Sequence, residues 1–215
     1  MIIVFDWDGT LCDSIEHIVS AMQAAAGELA VEVPGTAAVR DIIGLGLPQA
    51  VATLFPQLDD QQRESLAATY SRHYVNGDRQ PPKLFDGALE TLDGLRDRGM
   101  ELGVATGKSR RGLDRILAEL GLADFFDATR CADETRSKPD PLMLTQIMEE
   151  RDKTPSQVIM VGDTEYDLDM ASQAGVASVG VSFGVHSPER LARHAPLEIL
   201  DELPQLLRLE ALAAA

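Results

Sequence analysis

Cysteine is scarce in this chain: Cys12 and Cys131 are the only two in 215 residues. They make no CxxC pair and no disulfide framework. Two isolated thiols suit a reducing compartment, so a cytoplasmic location is expected. Basic charge is also short. Nineteen lysines and arginines against 35 acids give a formal net charge of −16. Such a surface repels a nucleic-acid backbone and an anionic membrane alike, so neither is an expected partner. A small anionic ligand stays open, because a local cationic site fits inside a negative protein. No apolar stretch is long enough to span a bilayer. The start, MIIVFDWDGT, has no basic n-region, and Asp6 interrupts its apolar run, so it does not read as a signal peptide. There is no repeat of ~20–50 residues, and no low-complexity tract beyond Ala211 to Ala215. The four histidines form no HExxH pair, which leaves zinc without a site.

What is present is alternation. Met1 to Phe5 is a short apolar run that stops at acidic and glycine residues. This is the pattern of a buried parallel strand feeding a functional loop. Met100 to Thr106, Gln157 to Gly162 and Ala177 to Val181 repeat it. Helical patterns lie between them. Ser109 to Leu120 opens on a capping serine and stops at Gly121; Pro141 to Glu150 and Tyr166 to Ala174 follow. Ser187-Pro188 reads as an N-cap with proline at the first helical position. Strands alternating with helices predict an α/β fold with a parallel sheet, whose ligands bind at the carboxyl ends of the strands. From about Ile15 to Lys83 the alternation breaks. Helical patterns at Ile15 to Leu29 and Asp60 to Tyr74 are punctuated by Pro34-Gly35 and Gly44-Leu45-Gly46, and Pro81-Pro82 reads as a stiff linker closing the segment. The expectation is a helical insert after the first strand.

Four elements fall at the predicted strand ends. In Asp6-Trp7-Asp8-Gly9-Thr10, residues two apart in extended chain point the same way, so Asp6 and Asp8 face one site. Two close carboxylates need a cation or a shared proton, and magnesium prefers one or two carboxylates plus phosphate oxygens. One carboxylate then attacks phosphorus while the other protonates the leaving alcohol. Thr106-Gly107-Lys108 offers a hydroxyl and free N–H groups at a strand-to-helix turn, which suits a phosphate. In Ser137-Lys138-Pro139 the proline biases Lys138 to an extended conformation, from which its ammonium could neutralise the nucleophile and the phosphoryl oxygens. Asp163 ends an apolar strand, and Asp167 lies one helical turn on, as a metal ligand and its supporting partner. Taken singly, the last three also read as a helix start, a surface lysine and a helix cap. Together they are the inventory of phosphoryl transfer.

In order and spacing these motifs resemble the haloacid dehalogenase superfamily, in its phosphoglycolate-phosphatase-like branch, over nearly the whole chain. The resemblance implies a Rossmann-like parallel sheet with helices on both faces, formed by residues 1–14 and 85–215, and an inserted all-helical cap, 15–84. It implies Asp6 as nucleophile and Asp8 as general acid and base, with Thr106 and Lys138 holding the phosphoryl group. Asp6, the backbone carbonyl of Asp8, and Asp163 would bind Mg2+, supported by Asp167. Gly107 lies at the substrate, and the cap loop Gly44 to Gly46 and Arg40 would meet the substrate's distal end. Cys12 stands where the family more often has valine or phenylalanine and reads as a small packed residue. The expected partner is a small phosphorylated metabolite, phosphoglycolate first, then a nucleotide or a sugar phosphate. A phosphomutase and a non-catalytic phosphate- or magnesium-binding domain are the alternatives. A carbon-attacking dehalogenase is disfavoured by Asp8 together with Asp163. Gly180-Val181-Ser182-Phe183-Gly184 matches GxSxG literally, but no helix opens after it and no Asp-then-His pair follows.

Overall fold

The structure is a computed structural model and describes residues 1–76 and 82–213. Pro81 of the expected linker and the last two alanines of the tail lie outside the described residues. Six parallel strands form one sheet: β1 (Ile2–Phe5), β2 (Glu101–Thr106), β3 (Ala128–Cys131), β4 (Val158–Gly162), β5 (Ala177–Val181) and β6 (Ile199–Leu200), ordered β3-β2-β1-β4-β5-β6. The strand order reverses at β1, which pairs with β2 on one side and β4 on the other. That reversal opens a crevice at the strand ends, where α/β sheets place their ligands.

The apolar runs that predicted the strands are buried on both faces, as crossover helices require. Along β1, Ile3 and Phe5 join one core with Leu102, Val104, Ile159, Val161, Val179 and Val181. Ile2 and Val4 join the other, with Met143, Ile147, Met160 and Met170. The period-two alternation of side chains is therefore what splits one strand between two cores. The helical insert comes next in the chain: α1 (Ile15–Glu28), α2 (Thr36–Asp41), α3 (Leu47–Leu54) and α4 (Asp60–Asn76). These helices gather a third apolar cluster around Met22, Ile43, Val51, Phe55 and Leu66. The remaining helices belong to the sheet layers: α5 (Ala88–Asp97), α6 (Arg110–Leu120), α7 (Leu142–Arg151), α8 (Glu165–Gln173), the short α9 (Pro188–Leu191) and α10 (Glu210–Ala213). The expected signals at α6 are in place. Ser109 accepts from the Gly112 N–H, and Gly121 ends the helix at φ +72°.

Three features go beyond the sequence expectations. β3 and β6 are real strands, and α5 is a real helix. β3 reads Ala-Thr-Arg-Cys, with its middle residues only half-buried at the sheet edge, so it shows no apolar run. β6 is two residues long. Two short helices, α2 and α3, fill the stretch between the predicted α1 and α4. In the GxSxG match, the Ser182 hydroxyl donates to Asp201 Oδ1 at 2.7 Å. No described helix is long and apolar enough to cross a membrane.

Cys12 and Cys131 are buried and unpaired in the first core. Burial pushes both thiols up to about 12, with the Asp8 carboxylate adding to the effect at Cys12. Both therefore stay protonated and covered well into the alkaline range. Titration with an aromatic disulfide reagent at about pH 8 should find both thiols in denaturant and neither in native buffer over the same minutes.

Candidate active site

Asp6 follows the last residue of β1, and its N–H is held by the Val161 carbonyl of β4 at 2.9 Å. Asp163 follows β4 and Asp167 sits in the first turn of α8. The three carboxylates are fully buried, with oxygens within 4.8 Å of one another. One ammonium faces them. Lys138 Nζ lies 2.6 Å from Asp6 Oδ1 and 2.6 Å from Asp167 Oδ1. Three carboxylates against one cation leave an excess of negative charge in a dry site. Burial, partly countered by Lys138 and reinforced by Asp167 and Asp163, holds the Asp6 carboxyl well above its usual range. Burial and Asp167 push Asp163 up to about 7. Burial alone would lower Lys138, but Asp167 and Asp6 outweigh it and hold it above its ordinary value, so it stays charged.

The carboxylates differ in what they have left to offer. Asp167 is fully occupied. Its Oδ1 accepts from Lys138, and its Oδ2 accepts from the Thr164 N–H at 3.1 Å and the Thr164 hydroxyl at 2.7 Å, closing a capping box on α8. Asp163 accepts from the Thr10 hydroxyl at 2.9 Å and from the Val185 N–H at 2.9 Å. Each of its oxygens keeps spare lone-pair capacity. Neither oxygen of Asp6 accepts a hydrogen bond of good angle from the described residues. A buried carboxylate left so open asks for a cation or a reaction partner. An oxygen-only donor set with surplus negative charge suits a hard divalent ion such as Mg2+, with Asp6 and Asp163 as the free ligands and Asp167 as their support.

Glycine is required beside this cluster. Gly9 has φ +87°, and a Cβ there would run into the Asp163 carboxylate. The turn after β1 can thus press its backbone against Asp163 only without a side chain.

Asp8 lies above this floor. Its Oδ1 accepts from the Ser14 hydroxyl at 2.5 Å and lies 2.9 Å from Lys108 Nζ. Lys108 in turn donates to the Tyr74 hydroxyl of α4 at 3.0 Å. Burial opposes the Lys108 charge, but Asp8, Tyr74 and Tyr70 hold its pKa well above the ordinary value. Lys108 carried no expected role within its motif, and neither Ser14 nor Tyr74 was among the candidate site residues. The signal for Lys108 was its spacing: two residues after Thr106, it shares the side of the chain that faces the site.

The insert closes directly onto the sheet ends. Gly46 N–H donates to the Ser137 hydroxyl at 2.8 Å. A Cβ on Gly107 would meet the Leu45 carbonyl at 2.5 Å and the Gly44 carbonyl at 2.8 Å, and Gly44 itself rests on Thr164. Gly44, Gly46 and Gly107 are thus brought together beside Thr106, whose hydroxyl accepts from the Lys108 N–H at 3.2 Å. Arg40 is the exception. Its guanidinium donates to Glu16 at 3.1 Å and to the Gly184 carbonyl at 3.4 Å, and it does not line the cavity between insert and sheet. Arg40 was expected at the substrate's distal end; its place at the end of the short α2 aims it at the Gly184 loop. Among the described residues, the arginines that line the cavity are Arg72, Arg111 and Arg115.

Residues 3–181 match the family model described as haloacid dehalogenase-like hydrolase. The chain belongs to this family. Similar curated proteins include a phosphoglycolate phosphatase of Vibrio vulnificus (strain CMCP6), 32% identical over 96% of this chain and 94% of that protein. Another is "Probable phosphatase IndB" of Dickeya dadantii (strain 3937), 33% identical over 96% of this chain and 91% of its own. Among solved structures, one described as a predicted phosphoglycolate phosphatase from Haemophilus somnus 129PT superposes with a TM-score of 0.86 at 25% identity, covering 97% of both chains.

The charge balance is open to a direct test. Lys138→Met should destabilise the metal-free protein by ~3–5 kcal/mol in urea unfolding, because it strands Asp6 and Asp167 without a buried cation. A carboxyl whose folded pKa is raised favours the fold below its unfolded pKa, and that advantage disappears as pH rises through the folded value. The deficit should therefore be smaller at about pH 5 than at about pH 8. An equal deficit at both would mean that lost packing, rather than stranded charge, is responsible.

Proposed function

We propose that this chain is a magnesium-dependent phosphatase that hydrolyses a small phosphate monoester through a phosphoaspartate on Asp6. The observation that carries this reading is the buried carboxylate cluster with Lys138 as its single ammonium and, among the described residues, no other partner for the Asp6 carboxylate. Magnesium held by Asp6, the Asp8 carbonyl and Asp163 would offset the surplus charge and draw electron density from the phosphoryl oxygens. Asp6 Oδ attacks phosphorus, and the bond to the leaving alkoxide breaks as Asp8 gives that oxygen its proton. Asp8 then takes a proton from water, whose oxygen displaces Asp6 and releases phosphate. Lys138 stays charged throughout and holds the nucleophile against Asp167. Thr106 and the N–H groups after it face the phosphoryl oxygens. Lys108 and Ser14 fix the orientation of the Asp8 carboxyl. The helical insert serves as the cap that excludes water.

The names of the relatives support a phosphatase and put phosphoglycolate first among the esters to assay. The two covered, unpaired thiols support the expected cytoplasmic setting.

Three measurements test this reading. Asp6→Asn is nearly isosteric but cannot attack phosphorus, so turnover should vanish while the circular dichroism spectrum is kept; near-normal kcat would remove Asp6 as nucleophile. EDTA should abolish activity and Mg2+ restore it, whereas Ca2+, with its looser and larger shell, should inhibit. Full activity after exhaustive chelation would sink the metal site. Asp8→Asn should lose on the order of 10²–10⁴ in rate, and lose less with p-nitrophenyl phosphate than with an alkyl phosphate where phosphorylation limits both. An equal loss on both would argue against Asp8 as the acid.

A further inference from the structure

Between the cap and the strand ends lies a cavity of about 780 Å³. It reaches the chemistry at Asp8, Gly107 and Lys108, and from there it extends into the cap. Its walls are chiefly apolar. Ile18 and Met22 of α1, Ile43 of the turn after α2, Leu47 and Ala50 of α3, and Tyr70 of α4 line it. Protein interiors leave few voids larger than a water, so an opening this size beside a reactive carboxylate is built to be filled. At ~30 Å³ per water it has room for roughly twenty-five. The two-carbon acid of phosphoglycolate would displace only a few of these and would set a carboxylate against aliphatic walls. Of the cationic lining residues, Lys108 is taken up by Asp8 and Tyr74, Arg115 lies over the Tyr74 ring and 3.8 Å from Glu119, and Arg72 and Arg111 are exposed, with Arg72 bound to Glu28. They are placed to attract a phosphate ester toward a negative protein rather than to grip its alcohol.

We propose, resting on the phosphatase reading above, that the preferred substrate is the phosphate monoester of an alcohol with a bulky apolar or aromatic body. The phosphoryl group sits over Asp6, the ester oxygen lies at Asp8, and the body fills the space walled by α1, α3 and α4. Phosphoglycolate, which leaves that space to water, is a poor substrate. The reaction is the hydrolysis already described; only the alcohol released is specified here.

The test uses the full chain with Mg2+ and three esters: phosphoglycolate, ethyl phosphate and 2-phenylethyl phosphate. Ethanol and 2-phenylethanol differ little in acidity, so the chemical step is matched and the difference reads the pocket. The expected kcat/KM for 2-phenylethyl phosphate exceeds both others by on the order of tenfold to a hundredfold. Ala50→Leu, which extends a side chain into the cavity, should bring the ratio of phenylethyl to ethyl ester towards one by acting mainly on the larger substrate. The wild-type protein offers a second readout that needs no variant. The non-hydrolysable 2-phenylethylphosphonate should inhibit at least tenfold more tightly than ethylphosphonate. Equal kcat/KM for the two alkyl esters, equal inhibition by the two phosphonates, or a preference for phosphoglycolate overturns the proposal and leaves the phosphatase reading standing. Hydrolysis of none of the esters overturns both.

Discussion

The site is organised around one ammonium. Lys138 reaches from the loop before α7 to lie between Asp6 and Asp167, fully buried, 2.6 Å from each. Without it, the ends of β1 and β4 would hold like charges at close range in a dry interior, where repulsion is weakly screened. With it, the two strand ends can sit side by side, as their register, Phe5 opposite Val161, requires. The capping box of α8 depends on the same contact, because Asp167 is shared between Lys138 and Thr164. A single side chain thus links Asp6 to the start of the helix that follows Asp163.

The arrangement separates two tasks by depth. Asp6, Thr106, Lys138 and Asp163 lie at the floor, essentially without solvent exposure. Asp8 and Lys108 form the next layer, and there the cap makes contact through the Tyr74 hydroxyl. In the proposed reaction, attack on phosphorus falls to the lower layer, and departure and recognition of the alcohol fall to the upper one.

Much of this was legible in the sequence, for identifiable reasons. The central strands are continuous apolar runs because both faces are covered, and each ends in the polar residues that make the site. Order along the chain then placed Asp6, Thr106, Lys138 and Asp163 at one edge, since parallel strands all deliver their carboxyl ends to the same side. β3 and β6 were invisible because edge strands this short need no apolar run. The Asp8–Lys108–Tyr74 chain was hidden for another reason. It joins a strand end, a turn and the distant α4, and such a meeting is a property of packing. The direction of Arg40 was hidden as well: its residue type suits an anion, but where a guanidinium points depends on its helix, and α2 aims it at Gly184.

The loop from Gly44 to Gly46 grips the sheet ends with its main chain: two carbonyls rest on Gly107 and one N–H reaches Ser137. Backbone atoms are common to every residue type. Substitutions elsewhere in the four-helix insert can therefore accumulate without loosening that grip. A family built in this way can inherit its reaction intact while its choice of ester drifts, and kinship alone then says more about the bond that is broken than about the molecule that carries it.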